Sequence, residues 1–563
     1  MALTLISEPI HPINTVIDYS TFNSVNRRIE FQFQRKDYVK TTGFTITNVG
    51  GYVGFDLVTT TATNAKIGDL IYFYSGSAIL YTTGFYEVTS IDTINNKIVV
   101  NLPYSSVGHA DDFINVNADR ENYYIELRMA VNGSYYSQKA TPNSTGLIKI
   151  DVSGTLRRLF DLKDDFDYFT TYQGKPIFVN DANQCLSFAV RYYEKYSNST
   201  DGGTNLSKTY YAVNSTPSIQ ENTNLYKYYQ PKNTKLYHTN WLTMFKTPVH
   251  FAYYPFDVQV IVESVAGATN YSLIEYRDSN KIAIPGGDFS TIIPNSYGTG
   301  IKRINSPFHK TVNYFAGRTE GFMIYWIVNF FSQNDTEQQW IKYDNLCRYN
   351  PVYVKWLNKL GGWSYWLFSS AVEYNLELSE GSGSMARIMS SSRNYQKEYS
   401  IQGMSAETLR LYDNALVFDD KEAWIDFMSN ENVFILKNNI KGAQNAQDYT
   451  LVDATYKLTI GSPTPHDLQI GDFVQFFPTT NSTTLYPYKY PVTKVWDNYM
   501  FQIDTYYVTQ VLLPTDAIWS KVIDANDWIL CRKQNQSANI NSANTNFSLS
   551  FDLVKPSLTR RLK

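Results

Sequence analysis

The hexad Ile67-Gly68-Asp69-Leu70-Ile71-Tyr72 returns 403 residues later as Ile470-Gly471-Asp472-Phe473-Val474-Gln475. Two further segments follow each copy in register. Tyr86-Glu87-Val88-Thr89-Ser90-Ile91 and then Ile98-Val99-Val100-Asn101-Leu102 come after the first. Tyr490-Pro491-Val492-Thr493-Lys494-Val495 and then Met500-Phe501-Gln502-Ile503-Asp504 come after the second. A chain that carries three segments twice in the same order must fold a unit of that size twice. Within each copy, short strands with period-two apolar spacing are separated by Gly, Asn, Asp and Pro turns, the pattern of a small antiparallel barrel or sandwich. Gly tolerates positive φ where the chain swings into the next strand, and Asp can hydrogen-bond the backbone two residues on. Ile-Gly-Asp therefore reads as a strand-entry turn rather than a ligand grip. The spacing predicts that Ile67 and Ile470, Val88 and Val492, and Val100 and Ile503 take corresponding inward positions in two small cores.

Each copy interrupts a larger β-unit. Ile29-Glu30-Phe31-Gln32-Phe33-Gln34 precedes the first and Tyr124-Ile125-Glu126-Leu127-Arg128-Met129 follows it; Val433-Phe434-Ile435-Leu436 and Trp528-Ile529-Leu530-Cys531 flank the second. Each pair is expected to be hairpin partners whose turn has been replaced by a folded module, an insertion that costs little when the module's ends lie close together.

At 563 residues the chain exceeds one core, and its 46 Tyr and 32 Phe, with abundant Thr, Val and Ile, favour pleated half-buried surfaces. The expected fold is mainly β, with multi-domain β-sandwich hosts carrying two small inserted β-barrel-like modules. Residues 1–40 with 111–200 form the N-terminal host and 41–110 its insert. Residues 201–370 form a central β domain with a long excursion over about 195–245. Residues 371–447 with 516–554 form the C-terminal host, 448–515 the second insert, and 555–563 a loose basic tail. Helices are expected at Ser153–Phe160, Leu411–Leu416 and Glu422–Met428, a Gly-Gly hairpin within 346–368, and a turn at Pro285-Gly286-Gly287-Asp288.

The formal net charge is −3 and no long basic run tracks phosphates, so direct nucleic-acid binding is not expected. Cys185, Cys347 and Cys531 are odd in number and outside any zinc spacing, which reads as reduced core thiols. The first residues lack the basic region, apolar stretch and cleavage site of a signal peptide, and the apolar run from Gly321 to Phe331 is too short to span a membrane.

The elements Val354-Lys355-Trp356-Leu357-Asn358-Lys359-Leu360-Gly361-Gly362-Trp363 and His466-Asp467-Leu468-Gln469-Ile470-Gly471-Asp472-Phe473-Val474, with the closing strand-rich region, resemble virion proteins of tailed bacteriophages. The nearest likeness is to a tail or tail-hub component of short-tailed phages infecting Bacteroidetes, the crAss-like group. The resemblance implies a structural subunit of a symmetric tail, a cyclic homo-oligomer contacting other tail proteins, assembled in the infected bacterial cytoplasm. In the first insert no His precedes Ile67 at that distance, and Asn64 and Ala65 lie in that stretch instead.

No catalytic, cofactor-binding or metal site is expected, and no enzyme activity. His11, His109, His238, His250, His309 and His466 include no pair at metal-ligand spacing, and His466 reads as a turn-capping ring before its strand. There is no G-x-S-x-G, P-loop or dinucleotide fingerprint. Asp164-Asp165-Phe166-Asp167-Tyr168 and Asp419-Asp420-Lys421-Glu422 bring carboxylates near aromatics, but a glycosidase needs two acids facing each other across the scissile bond, and these runs read as solvated faces without an EF-hand pattern. Three functions remain: a tail hub, ring or adaptor subunit; a receptor- or glycan-binding adhesin that stacks sugars on Tyr and Trp; and a polysaccharide-degrading tail enzyme. The absent catalytic motifs and the matched insertions favour the first.

Overall fold

A computed structural model describes residues 2–12, 19–36, 44–57, 67–68, 70–74, 84–92, 94–95, 97–104, 113–115, 123–143, 146–166, 168, 178–180, 183–196, 199–200, 203–216, 241–251, 254–262, 270–278, 280–293, 299–305, 321–328, 333–334, 339–344, 351–368, 370–379, 404–437, 444–445, 448–452, 456–463, 465–477, 489–505, 518–539 and 546–554. The chain is mainly β and divides into two compact units. The first comprises Met1–Pro12, Thr21–Leu159 and Leu186–Ala212, and the second Ile13–Ser20, Phe160–Cys185 and Val213–Lys563. The basic tail, Cys347, His109, His238 and His309 lie outside the described residues.

In the first unit, Glu30–Lys36 runs between Ala2–Ser7 and Leu147–Asp151 in an antiparallel sheet. A second sheet has the order Ser134–Ala140, Tyr124–Val131, Cys185–Tyr196, Thr204–Val213, Phe22–Ser24. Alternation sends Phe31 and Phe33 inward from the first sheet, where their rings meet Tyr210 and Tyr192 of the second at 5.2 and 4.9 Å between centroids. The strands flanking the first module are not hairpin partners, contrary to expectation. Tyr124–Val131 instead turns directly into Ser134–Ala140 through Asn132-Gly133, whose φ values of 48° and 80° suit the two-residue turn that matches strand twist. That local turn outcompetes a distant partner. Thr204–Val213, expected inside an irregular excursion, is also a regular strand. Its inward row includes Lys208, bonded at 2.8 Å to Glu8, so the apolar alternation is broken by a paired charge. Residues 217–240 of that excursion lie outside the described residues. A short helix stands at Ser153–Arg157, where one was expected.

The repeated segments form two separate six- and seven-stranded sheets. In the first module the strands Phe44–Val49, Tyr52–Leu57, Leu70–Tyr74, Gly84–Asp92, Lys97–Pro103 and Phe113–Asn115 lie in the spatial order sixth, third, fourth, fifth, second, first. In the second module Asp448–Val452, Lys457–Gly461, Phe473–Phe477, Lys489–Val495, Met500–Asp504 and Ile518–Lys521 take the same order, with Gln444–Asn445 added beyond the sixth. Pairing carries the modules past 110 and 515, to Asn115 and Lys521, because the closing strands bond to the third strand of their own module. Val88 faces Val100 in one and Val492 faces Ile503 in the other, and all four are buried. Ile67 and Ile470 do correspond, but they point outward, 59% and 69% exposed. The residue that follows explains the turn: Gly68 at φ 89° donates its N–H to the Val88 carbonyl, and Gly471 at φ 96° to the Val492 carbonyl, at 2.8 and 2.9 Å.

In the second unit a seven-stranded antiparallel sheet has the order Trp363–Phe368, Val352–Leu357, Asn432–Leu436, Trp528–Asn539, Asn546–Val554, Met404–Val417, Ser370–Ser379. Here the flanking strands of the module are partners: Val433 faces Cys531 and Leu436 faces Trp528. Lys421–Ser429 is helical, and its Trp424 and Phe427 bury against Trp356, Phe368 and Phe551. Leu411–Leu416 belongs to a strand, not a helix. One extra residue between Asp413 and Leu416 shifts the pairing parity, which leaves apolar residues at a spacing that imitates a helix. Pro285-Gly286-Gly287-Asp288 lies inside the strand Ala283–Ile293, at a register break on the edge of its sheet, where a missing N–H is tolerated.

Candidate functional site

Two arrangements concentrate polar chemistry, one in each unit. In the second unit the Gly-Gly hairpin pairs Lys355 with Tyr365 across its two strands, and the pairing of Asp257–Val262 with Gly300–Asn305 sets Gln259 opposite Arg303. The segment Asp164–Tyr168 completes the cluster. Arg303 lays its fork on Asp257, Nε to Oδ2 at 2.8 Å and Nη2 to Oδ1 at 2.9 Å, and reaches Asp164 through Nη1 at 2.5 Å. Lys355 Nζ donates to the other Asp164 oxygen, Tyr168 donates to it at 2.9 Å, and Tyr365 donates to Asp257. Gln259 donates to Asp257 while its carbonyl oxygen accepts the Trp363 N–H at 2.9 Å. Two cations and two anions are thereby matched in the interior, where Arg303 and Lys355 are both buried, at 0% and 0% exposed side chain or residue surface. Arg303 also lies 4.0 Å from the Phe166 ring centroid, and Lys355 lies 3.8 Å from that of Trp528.

Burial opposes ionisation of Asp164, but the charges of Arg303 and Lys355 outweigh it and hold the carboxyl well below the usual range. Burial pulls Lys355 down to about 8 despite Asp164. An ionised carboxylate clamped by two cations holds no proton to give, so this cluster is suited to cohesion and not to general-acid work.

The element Trp356-Leu357-Asn358-Lys359-Leu360-Gly361-Gly362-Trp363 is built around the same hairpin. Asn358 Oδ1 accepts the N–H groups of Leu360 and Gly362 at 3.0 and 3.1 Å, and its amide donates to the Leu242 carbonyl at 2.9 Å. Gly361 sits at φ 87°, and a side chain on Gly362 would strike the Leu242 backbone. Trp356 donates to Asp426 at 3.3 Å. Asn358 thus closes the turn, while Trp356 and Trp363 tie the hairpin to the helix at Asp426 and to the strand at Gln259.

In the first unit, the outward face of the Ser134–Ala140, Tyr124–Val131, Cys185–Tyr196 sheet holds an open pocket of about 380 Å³ lined by Arg128, Ala130, Tyr135, Ala189, Arg191 and Tyr193, among others. Strand register explains its shape. Ala130 faces Ala189 and forms a low floor, Tyr135 stands beside Ala130 on the next strand, and one step along Arg128 faces Arg191. The two guanidinium carbons lie 4.5 and 5.0 Å from the Tyr193 ring centroid. Gly203, at φ 75°, brings backbone against this wall, and a Cβ there would collide with the Tyr193 ring and Arg191 Nε. Glu126 accepts Arg128 Nε at 2.9 Å and Lys195 Nζ at 2.5 Å. Sequence reading missed this pocket, because neither arginine stands near the other until the two strands are put in register.

The residues weighed from sequence are dispersed. His466 is a turn cap, its Nδ1 accepting the Leu468 N–H at 3.0 Å. His250 is buried, stacked on Phe256 at 5.0 Å, and burial lowers it to about 3. The acidic runs are not wholly solvated. Asp164 is in the cluster, and Asp420 is buried with its carboxylate accepting the Lys246 N–H at 2.7 Å, while Asp165 and Asp419 are surface residues. Cys531 is a core thiol and Cys185 is half-buried. Among the described residues no three His, Cys, Asp or Glu are grouped to hold a metal, and no helix is long and apolar enough to cross a membrane. Comparison with protein-family models finds no match for the chain, and comparison with curated proteins finds none either.

Proposed function

We propose that this chain is a structural subunit of a bacteriophage tail, a hub, ring or adaptor, in which β-sandwich hosts build a symmetric assembly and the two inserted modules reach neighbouring tail proteins. The observation that carries the reading is the pair of modules with one strand order, one placed in each compact unit. Each has its own core: Val53, Phe55, Val88, Ile98 and Val100 in the first, Leu458, Ile460, Val492, Phe501 and Ile503 in the second. Each also exposes an isoleucine at the same turn, Ile67 in the first and Ile470 in the second. The charged cluster of the second unit supports the same reading, since its side chains are consumed in joining distant stretches of chain. The test is the mass of the protein in solution and its copy number in purified virions. A closed ring with several copies is expected, and a single monomeric copy per particle would sink the proposal.

A second reading, a receptor- or glycan-binding tail adhesin, is favoured by one observation, the open Arg- and Tyr-lined pocket of the first unit.

A further inference from the structure

Arg128 and Arg191 stand directly opposite one another on adjacent strands, a concentration of like charge that Glu126 meets on the Arg128 side. Lys139 and Lys195 lie on the same sheet, and Glu126, paired with Arg128 and Lys195, is the carboxylate set against them. This cationic face belongs to a chain whose formal net charge is −3. Beside it, the Ala130–Ala189 floor is small and weakly polar, and Tyr135 offers a ring that is 79% exposed.

We propose that this pocket binds an acidic sugar unit, a hexuronate within a polysaccharide, with its carboxylate on the Arg128–Arg191 pair and its ring over the alanine floor against Tyr135. Planar guanidiniums match a planar carboxylate in two-point contact, and an aromatic ring with a polar tip suits the flat, partly apolar face of a pyranose. The pocket opens to solvent and falls in the lower part of the roughly 300–1,000 Å³ range of small-ligand sites, which fits one or two units of a chain whose remainder extends outside. Gly203 keeps the wall in place without adding bulk. A single-stranded nucleic acid also pairs anions with aromatic stacking, but it needs a track of cations and several open rings, and among the described residues of this face the cations form one patch, with the Tyr193 ring covered by Arg128 and Arg191 and Tyr135 exposed. The inference stands on the pocket alone and does not depend on the tail-subunit reading.

The experiment is calorimetric titration of the full chain with digalacturonate, maltose, inorganic sulfate and a short oligothymidylate, repeated on Arg128→Gln and Ala189→Leu. Ala189 is exposed, so leucine there fills the floor without touching the core, and melting curves establish that both variants fold. Saturable digalacturonate binding at about 1 mM or tighter is expected. Maltose and sulfate should bind at least about tenfold more weakly, and both variants should lose at least about tenfold in affinity. Equal binding of sulfate, tighter binding of the oligothymidylate, unchanged binding by Ala189→Leu, or no saturation with digalacturonate would each overturn the proposal.

Discussion

Thr89 and Thr493 occupy the same bulge in the two modules. Each is the residue skipped by the pairing of the fourth and fifth strands, between Val88 and Ser90 in one and between Val492 and Lys494 in the other. Each donates its hydroxyl across the ladder, to the Val99 carbonyl at 3.2 Å and to the Gln502 carbonyl at 3.3 Å. A bulge at one position could arise from local strain. Two bulges closed by the same side chain, in sheets of one strand order, place the equivalence at the level of individual hydrogen bonds.

The strand-entry turn should behave alike in both modules. Gly471→Ala meets no atom within 4 Å, so its cost comes from the backbone at φ 96° alone. Gly68, at φ 89°, should respond in the same way. Each alanine variant is expected to lose about 1–2 kcal/mol, read from urea unfolding. A loss in one module with none in the other would show that the two turns are not equivalent.

Arg303→Leu should be among the most damaging substitutions, because it leaves Asp164 and Asp257 buried with only Lys355 as a cation. The expected loss is about 3–5 kcal/mol in thermal or denaturant unfolding. Arg303→Lys keeps the charge without the fork and should fall between leucine and wild type. The Asp164 carboxyl is held below its unfolded value, so its contribution is fully present above about pH 4 and fades only as pH falls further.

Two buried groups should give opposing pH slopes. Burial lowers His250 from 6.5 to about 3, so its contribution is present above pH 6.5 and is lost as pH falls toward 3. Burial raises Asp426 from 3.8 to about 6 against bonds from Lys359 and Trp356, so its contribution is present below pH 3.8 and is lost as pH rises through 6. Lys533, lowered by burial to about 7, is protonated in both states across the overlap and adds no slope there. Between pH 6 and 4 the two trends offset to within about 1 kcal/mol. His250→Phe should therefore become relatively more stable on acidification, and Asp426→Asn relatively less, in denaturant unfolding followed at stepped pH. Parallel profiles for the two variants would remove the argument.

What the sequence disclosed and what it hid have physical causes. Period-two alternation and local turns were legible, so the third, fourth and fifth strands of both modules, the Gly-Gly hairpin and the His466 cap could be read directly, while the first two strands and the closing strand of each module were not. Pairing between segments far apart was legible only where a module sits at a hairpin tip, as between Val433 and Cys531. The cluster was hidden because Asp164 finds Arg303 and Lys355 at separations of 139 and 191 residues, and an acidic run without a nearby cation looks solvated. The pocket was hidden for a related reason: Arg128 and Arg191 become neighbours only through strand register.

The second module should be removable. Its host ends already meet, since Leu436 pairs with Trp528 and the Lys437 N–H donates to the Asp527 carbonyl at 3.0 Å. Replacing residues 438–526 with Asn-Gly converts those ends into a two-residue hairpin whose turn matches strand twist. The excision must include Ile518–Lys521, which pairs with the module's third strand and would otherwise be left as an unpaired edge. It also removes Ile523, which is buried in the host core, and that contact is worth about 1.5–3 kcal/mol. The second unit of the shortened chain should therefore still unfold cooperatively, with its transition displaced downward by about that amount. Loss of cooperative unfolding would show that the module's strands are part of the host's core and that the two were never separable.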